Sequence, residues 1–335
     1  MKLKWYRAWV GIGVWFIVMG GFFVRSGETA MYKVMVVMSY DETYPWVQEM
    51  KEGIESVLAN TAELTYFFMD TQHHPEQGPE KAEKAFALYQ QLQPDGVIAA
   101  DDNAQSMFVV PYLKDKVKTP VMFCGVNAEP EQYGFPATNV SGVLERFHTR
   151  ESIILAKQLV PSIETFGYIL RESASAGLVQ LQIEQEAESY LAKYTAFKTP
   201  ATLKEMMADL EELREQCDLL FVETLSGLLD DQGKSLTDQE LIPLILKNFG
   251  KPTAGNNAYH VKNGLLCAVI KMGQEQGETA ANMLLQAMRG TPISQLPITK
   301  NTRGKRLLNV DTMKALDIKP KPHILKGIEL ITTSE

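Results

Sequence analysis

Cysteine is scarce. The 335 residues hold three, Cys124, Cys217 and Cys267, with no C-x-x-C pair and no zinc-ligand spacing. That excludes a disulfide framework and a thiolate metal site, and leaves free buried thiols as the simplest reading. An excess of basic residues is lacking too: 33 Lys+Arg face 41 Asp+Glu, for a net charge of −8. A chain without a basic stripe is a poor partner for nucleic acid. There is no G-x-x-x-x-G-K-S/T phosphate loop, and Ser141, in Val-Ser-Gly-Val, is no G-x-S-x-G nucleophile elbow. His148 and His260 stand alone, and His73-His74-Pro75-Glu76 reads as solvated loop. No catalytic residue, metal or cofactor is expected. What remains, at 45% apolar and 22% charged residues, is an ordinary packed chain of two-domain length.

The first 30 residues differ from the rest. Lys2, Lys4 and Arg7 precede an uncharged, mostly apolar run from Ala8 to Val24, and a polar stretch from Arg25 follows. This is the pattern of an export leader, read as a signal peptide or an uncleaved N-terminal membrane anchor. No A-x-A site marks a cleavage point, and no Cys follows the run to carry a lipid. The leader predicts a periplasmic or otherwise extracytoplasmic protein. Without it, the remaining residues carry a charge of −11.

From residue 31 onward, short β-rich runs alternate with amphipathic segments. Strands are expected over 32–39, 64–69, 96–100, 120–124 and 139–143, with helices over 46–58, 79–92 and 103–114 between them. A second series follows. Helices are expected over 150–159, 176–194, 202–216, 237–248 and 274–289, with strands over 165–170, 195–198, 218–222, 252–255 and 264–270. Thr202-Leu-Lys-Glu205 and Thr237-Asp-Gln-Glu240 are capping boxes that open two of these helices. The alternation predicts an α/β protein of two doubly wound, Rossmann-like lobes with a ligand cleft between them.

Ligands of open parallel sheets bind beyond the carboxyl ends of the strands, so the residues that follow each strand are the candidates. In the first series these are Tyr40, Asp41, Asp101, Asp102, Asn103 and Asn127; in the second, Glu172, Ser173, Glu223, Thr224, Asn256 and Asn257. Carboxylates and amides would orient a solute, and nearby Tyr44, Trp46 and Tyr259 would supply bulk. Asp41, Asp101, Ser173 and Asn256 could equally cap the helices that follow. The adjacent acids Asp101 and Asp102 make a poor acid/base pair, because neighbouring side chains rarely meet at one point. The acidic loops point to an amine-bearing ligand, although helix N-termini in the same place would accept a carboxylate.

Several stretches, in order, resemble one exported family: Asn139-Val-Ser-Gly-Val143, Phe166-Gly-Tyr-Ile-Leu170, Gly277-Glu-Thr-Ala-Ala-Asn-Met-Leu-Leu285, Arg289-Gly-Thr-Pro292 and Leu308-Asn-Val-Asp311. The family is that of ABC-transporter substrate-binding proteins with tryptophan- and tyrosine-binding members and the type I periplasmic binding protein fold. The resemblance implies three crossovers between lobes and closure on a solute. It implies a first lobe of 31–146 plus about 271–297 and a second of 147–270 plus about 298–335. It also implies a monomer that hands a small solute, an amino acid or related amine, to the membrane permease of an ABC importer. A ligand-sensing module for a membrane signalling protein is the alternative. A hydrolase using Asp101 or Glu223 is a third reading. Asp101-Asp102-Asn103 stands where members often carry a small-residue loop such as Thr-Pro-Ala.

Overall fold

Val34 to Met38 are wholly buried, an unbroken apolar run that suits a strand covered on both faces. The structure, a computed structural model, describes Met1 and residues 31–333. The leader assigned to 1–30 thus lies outside the described residues, Met1 apart. In the first series, β1 (Tyr32–Met38) leads to α1 (Pro45–Leu58), which starts at Pro45 and buries Val47, Met50, Ile54 and Leu58 at helical spacing. Next come β2 (Ala62–Phe68), α2 (Gly78–Leu92), β3 (Gly96–Ala100), α3 (Asp101–Ala104), β4 (Val121–Val126) and β5 (Val140–Leu144). The helix expected over 103–114 is only partly α-helical. After α3, residues Gln105–Leu113 form a π-helical segment that contains Pro111. Proline has no N–H to continue the ladder, and the segment closes with Lys114 N–H donating to the Val109 carbonyl, five residues back.

The second series runs α4 (Thr149–Leu159), β6 (Thr165–Ile169), α5 (Ala174–Glu186), β7 (Lys193–Lys198), α6 (Leu203–Gln216), β8 (Leu219–Val222), α7 (Asp238–Phe249), β9 (Thr253–Ala254), α8 (Ala258–Lys262) and β10 (Cys267–Ile270). Both capping boxes form as spaced, with Thr202 paired to Glu205 and Thr237 to Glu240. The helix expected over 176–194 ends earlier, at Glu186, and passes through a 3-10 turn to Ser189. The chain continues through α9 (Gly273–Met288), β11 (Thr299–Lys300), β12 (Lys305–Asn309), α10 (Val310–Ala315) and β13 (Ile328–Ile331).

The described strands form two sheets, ordered β11-β5-β4-β3-β1-β2 and β13-β12-β10-β9-β8-β6-β7. All neighbours are parallel except β10 and β12. The chain passes between the sheets after β5, after β10 and after β11. The return to the first sheet runs past the expected limit of 297, because Thr299 and Lys300 pair with Val143 and Leu144 and cover the open edge of β5. Two glycines let α9 lie against α1. A Cβ on Gly277 would stand 2.1 Å from the Met50 carbonyl oxygen, and one on Gly53 2.2 Å from that of Gln274. Among the described residues, no helix is long and apolar enough to cross a membrane.

Candidate functional site

The carboxyl ends of β1, β3 and β4 form one wall of a cleft. Ser39 fixes the first of them, donating from Oγ to the Ala100 carbonyl (2.6 Å) and accepting from the Ala104 N–H (2.9 Å). Tyr40 follows and lines the cleft. Asp101 follows β3 with φ +64°, a left-handed conformation that Asp tolerates better than most residues. Its carboxylate fits because Gly125 has no side chain: a Cβ there would stand 2.7 Å from Asp101 Oδ1. Trp46 Nε1–H donates to Oδ1 (3.1 Å), while Oδ2 is buried without a hydrogen-bond partner. Only 3% of Asp101 is exposed. Burial first, then the charges of Glu145 and Asp102, hold its acid well above the usual carboxylate range, against the opposing pull of the Trp46 bond and Lys271.

The three passages between sheets meet at the back of the cleft. Glu145, just past β5, pairs with Lys271, just past β10. The Lys271 ammonium also lies over two rings, 4.6 Å from the centroid of Phe147 and 5.8 Å from that of Trp46. Asn301, beyond β11, clasps the first passage: its Oδ1 accepts from Arg146 N–H (2.7 Å) and its Nδ2 donates to the Arg146 carbonyl (3.0 Å). Gln276 of α9 reaches β4 and β5, accepting from Gly125 N–H (2.9 Å) and donating to the Leu144 carbonyl (3.1 Å).

The opposite wall is built around Glu223. Its oxygens accept from Asn256 Nδ2 (2.8 Å) and Asn257 Nδ2 (3.1 Å), and His260 Nε2 lies 3.9 Å away. Thr224 and Tyr259 share a hydroxyl–hydroxyl bond of 2.8 Å. His260 is fully buried, and neither of its ring nitrogens has a partner. Between the walls lies a cavity of about 390 Å³, lined by Tyr40, Trp46, Asp101 and Glu145 on one side and by Asn257 and Tyr259 on the other. A second, of about 150 Å³, adjoins it at Asn127 and Glu145 and reaches Phe147, Ser173, Glu223 and Thr224. The larger has the size of a small-molecule site.

The twelve residues selected from the sequence divide accordingly. Tyr40, Asp101, Asn127 and Asn257 line the larger cavity; Ser173, Glu223 and Thr224 line the smaller, with Asn127 shared. The others line neither. Asp41 closes a turn, accepting from Thr43 N–H (2.8 Å). Asp102 accepts from the N–H groups of Asn127 (3.0 Å) and Ala128 (3.2 Å) and from the Tyr133 hydroxyl (2.8 Å), so its lone pairs are committed within the wall. Asn103 donates to Thr71 Oγ1 (2.8 Å). Glu172 is exposed, and Asn256 is buried behind Glu223. Capping explains Ser173, which accepts from Ala176 N–H at the start of α5, but not Asp101 or Asn256. Glu145 and Lys271 were not selected, although each directly follows a strand. Asp41, Asp70 and His73 each offer one ligand atom within 4.8 Å of the others. His73 Nδ1 lies 2.8 Å from Asp70 and 3.7 Å from Asp41, a pairing that an exposed loop makes without any ion.

Comparison with known proteins gives concordant results. The sequence pattern of the family described as ABC transporter substrate binding protein matches residues 34–329. A curated relative, the tyrosine-binding protein of Clostridioides difficile (strain R20291), is 23% identical over 188 residues, which are 55% of this chain and 51% of the relative. The match thus spans about half the length of that relative. Among solved structures, a ligand-free, open substrate binding protein with adhesive properties from Clostridium difficile is 17% identical, with a TM-score of 0.69 over 91% of this chain and 100% of its own. An ABC domain from Streptococcus pneumonia in complex with L-Trp is 18% identical, with a TM-score of 0.56 over 90% and 100%. Both share the fold, two lobes of the type I periplasmic binding kind.

Proposed function

Because the chain belongs to the ABC transporter substrate binding protein family, we propose that it captures a small amine-bearing solute, an amino acid or related amine, between its two lobes. It then delivers that solute to the membrane permease of an importer. The observation that carries this reading is the buried Asp101 carboxyl group, one oxygen unpartnered, on the wall of a cavity of about 390 Å³ lined from both lobes. An ammonium group would supply the missing partner. The tyrosine-binding relative and the L-Trp complex support aromatic amino acids and their amines as the first compounds to try.

The lobes are joined by the three laced passages at Glu145–Arg146, Lys271 and Asn301, which suit a hinge. Closure would place Asp101, Asn127, Glu223 and Asn257 around the solute, and the ligand would select the closed state. Export through the leader would place the body outside the cytoplasmic membrane. The reading is one of binding without turnover, and the ligand should be recovered unchanged.

The test is a thermal-shift screen of amino acids, amines, sugars and nucleosides. A ligand at a hundred times its Kd stabilises the native state by about 2.7 kcal/mol. An amine-bearing hit that also lowers the radius of gyration in solution scattering supports the proposal. A response confined to sugars or nucleosides, or an unchanged scattering profile at saturation, would refute it.

A further inference from the structure

The wall of the larger cavity is acidic, and the backbone amides at the end of β4 are already taken. Three carboxylates line the larger cavity, Glu49, Asp101 and Glu145, against one ammonium, Lys271, which is paired to Glu145. A ligand carboxylate would need free donors. The backbone N–H groups of Asn127 and Ala128, at the end of β4, are held by the protein's own Asp102. Gly125 N–H is held by Gln276. Arg146, on this wall, is spent on the carbonyls of Val126, Asn127 and Glu145 and on the Glu129 carboxylate (3.1 Å), and Arg171 lines the smaller cavity on the opposite wall rather than the larger one.

A cation, by contrast, is visibly accommodated. The Lys271 ammonium rests between Glu145, the Phe147 ring and the Trp46 ring, within reach of cation–π attraction. Tyr40, Tyr44 and Tyr259 extend the aromatic lining, with Tyr40 and Tyr44 packed edge to face at 5.4 Å. Asp101, with one oxygen buried and unpartnered, lines the same cavity.

We propose that the cleft is selective for organic ammonium ions carrying an aromatic or apolar body, and that a carboxylate on the ligand weakens binding. This rests on the reading of the cleft as the solute site and narrows the solute to the carboxylate-free amines. Asp101 takes the ammonium, and the aromatic residues take the body. With the amides of Gly125, Asn127 and Ala128 committed, a ligand carboxylate in the larger cavity would face the like charges of Glu145 and Glu49 beside Asp101.

The experiment titrates the protein calorimetrically at neutral pH with tryptamine, tyramine, L-tryptophan, L-tyrosine and 3-indolepropionate. Each amine is expected to bind at least about tenfold more tightly than its parent amino acid, a difference near 1.4 kcal/mol, and indolepropionate not at all. Asp101→Asn is expected to weaken tryptamine binding by about tenfold or more while melting no earlier than the wild type. Amino acids that bind as tightly as their amines would overturn this inference and leave the amino-acid reading standing. Retention of full tryptamine affinity by the folded D101N protein would also overturn it. If none of the five binds while a sugar or nucleoside does, the inference and the amine reading fall together.

Discussion

Asp101 should cost the empty protein stability, and the cost should depend on pH. In the unfolded chain its acid titrates near the usual value of about 3.9. In the folded protein, burial and the neighbouring carboxylates raise it well above that range. Between those two points the native state binds more protons than the unfolded state, so stability falls as pH rises from about 4 toward the folded pKa, and is level above it. Asp101→Asn removes the titration and keeps the local geometry: Asn tolerates φ +64°, and its carbonyl can accept from Trp46 Nε1–H. Glu145, Asp102 and Lys271 are the charged groups that bear on the site, Tyr40 and Cys124 its other titratable neighbours, and all stay in place in the variant. The variant is expected to melt higher than the wild type at neutral pH, by a margin that widens as pH rises from about 4. Thermal melts of both proteins without ligand, from acid to neutral pH, check this. The two curves should meet near pH 4 and separate as pH rises. A constant offset across that range, or a D101N protein that melts earlier at neutral pH, would refute the reasoning.

Gly277→Ala should destabilise by about 1–3 kcal/mol, as overpacking does, because its Cβ would meet the backbone of Met50 at 2.1 Å; chemical denaturation measures the loss. Thr237→Ala removes the cap that receives Glu240 N–H and should cost about 1 kcal/mol in the same assay, with ligand affinity unchanged. The three thiols are free and buried, with burial pushing those of Cys217 and Cys267 up to about 12. A thiol-reactive dye should therefore label none of them until denaturant is added; rapid labelling of the native protein would contradict this burial.

Much of the fold could be read in advance, because its signals are local. Val34-Met-Val-Val-Met38 announces a buried strand, and Thr202/Glu205 and Thr237/Glu240 announce helix starts whose hydrogen bonds close within four residues. The exception near residue 105 is local as well: Pro111 was in plain view, but its effect was to widen the helix rather than end it. The site was harder. A rule that collects residues after strands cannot tell which way each side chain turns. Asp101 and Asp102 are adjacent, yet the first lines the cavity and the second faces away, onto the amides of Asn127 and Ala128. Nothing in their order distinguishes them, because the left-handed turn at Asp101 that separates them depends on the empty space at Gly125.

Glu145 and Lys271 show a different limit. Both satisfy the strand-end rule, one after Leu144 and the other after Ile270, so position alone could have selected them. The chain at both places leads into the other lobe, and Glu145 stands in a run of charged residues, Glu145-Arg146 to Arg150-Glu151, that does not single it out. Their meaning lies in their pairing across 126 residues of sequence, which no local pattern records. It arises from topology: parallel sheets that exchange strands must pass the chain between lobes, and those passages converge behind the cleft. A charge placed on a passage therefore faces the proposed ligand cleft and the proposed hinge together. If that convergence is what matters, Lys271→Met should alter affinity and the open-to-closed change jointly, since Glu145 loses its partner at both. Calorimetry and scattering on the same variant measure the two. A change in affinity with an unaltered closure profile would separate the roles and place Lys271 in the cleft alone.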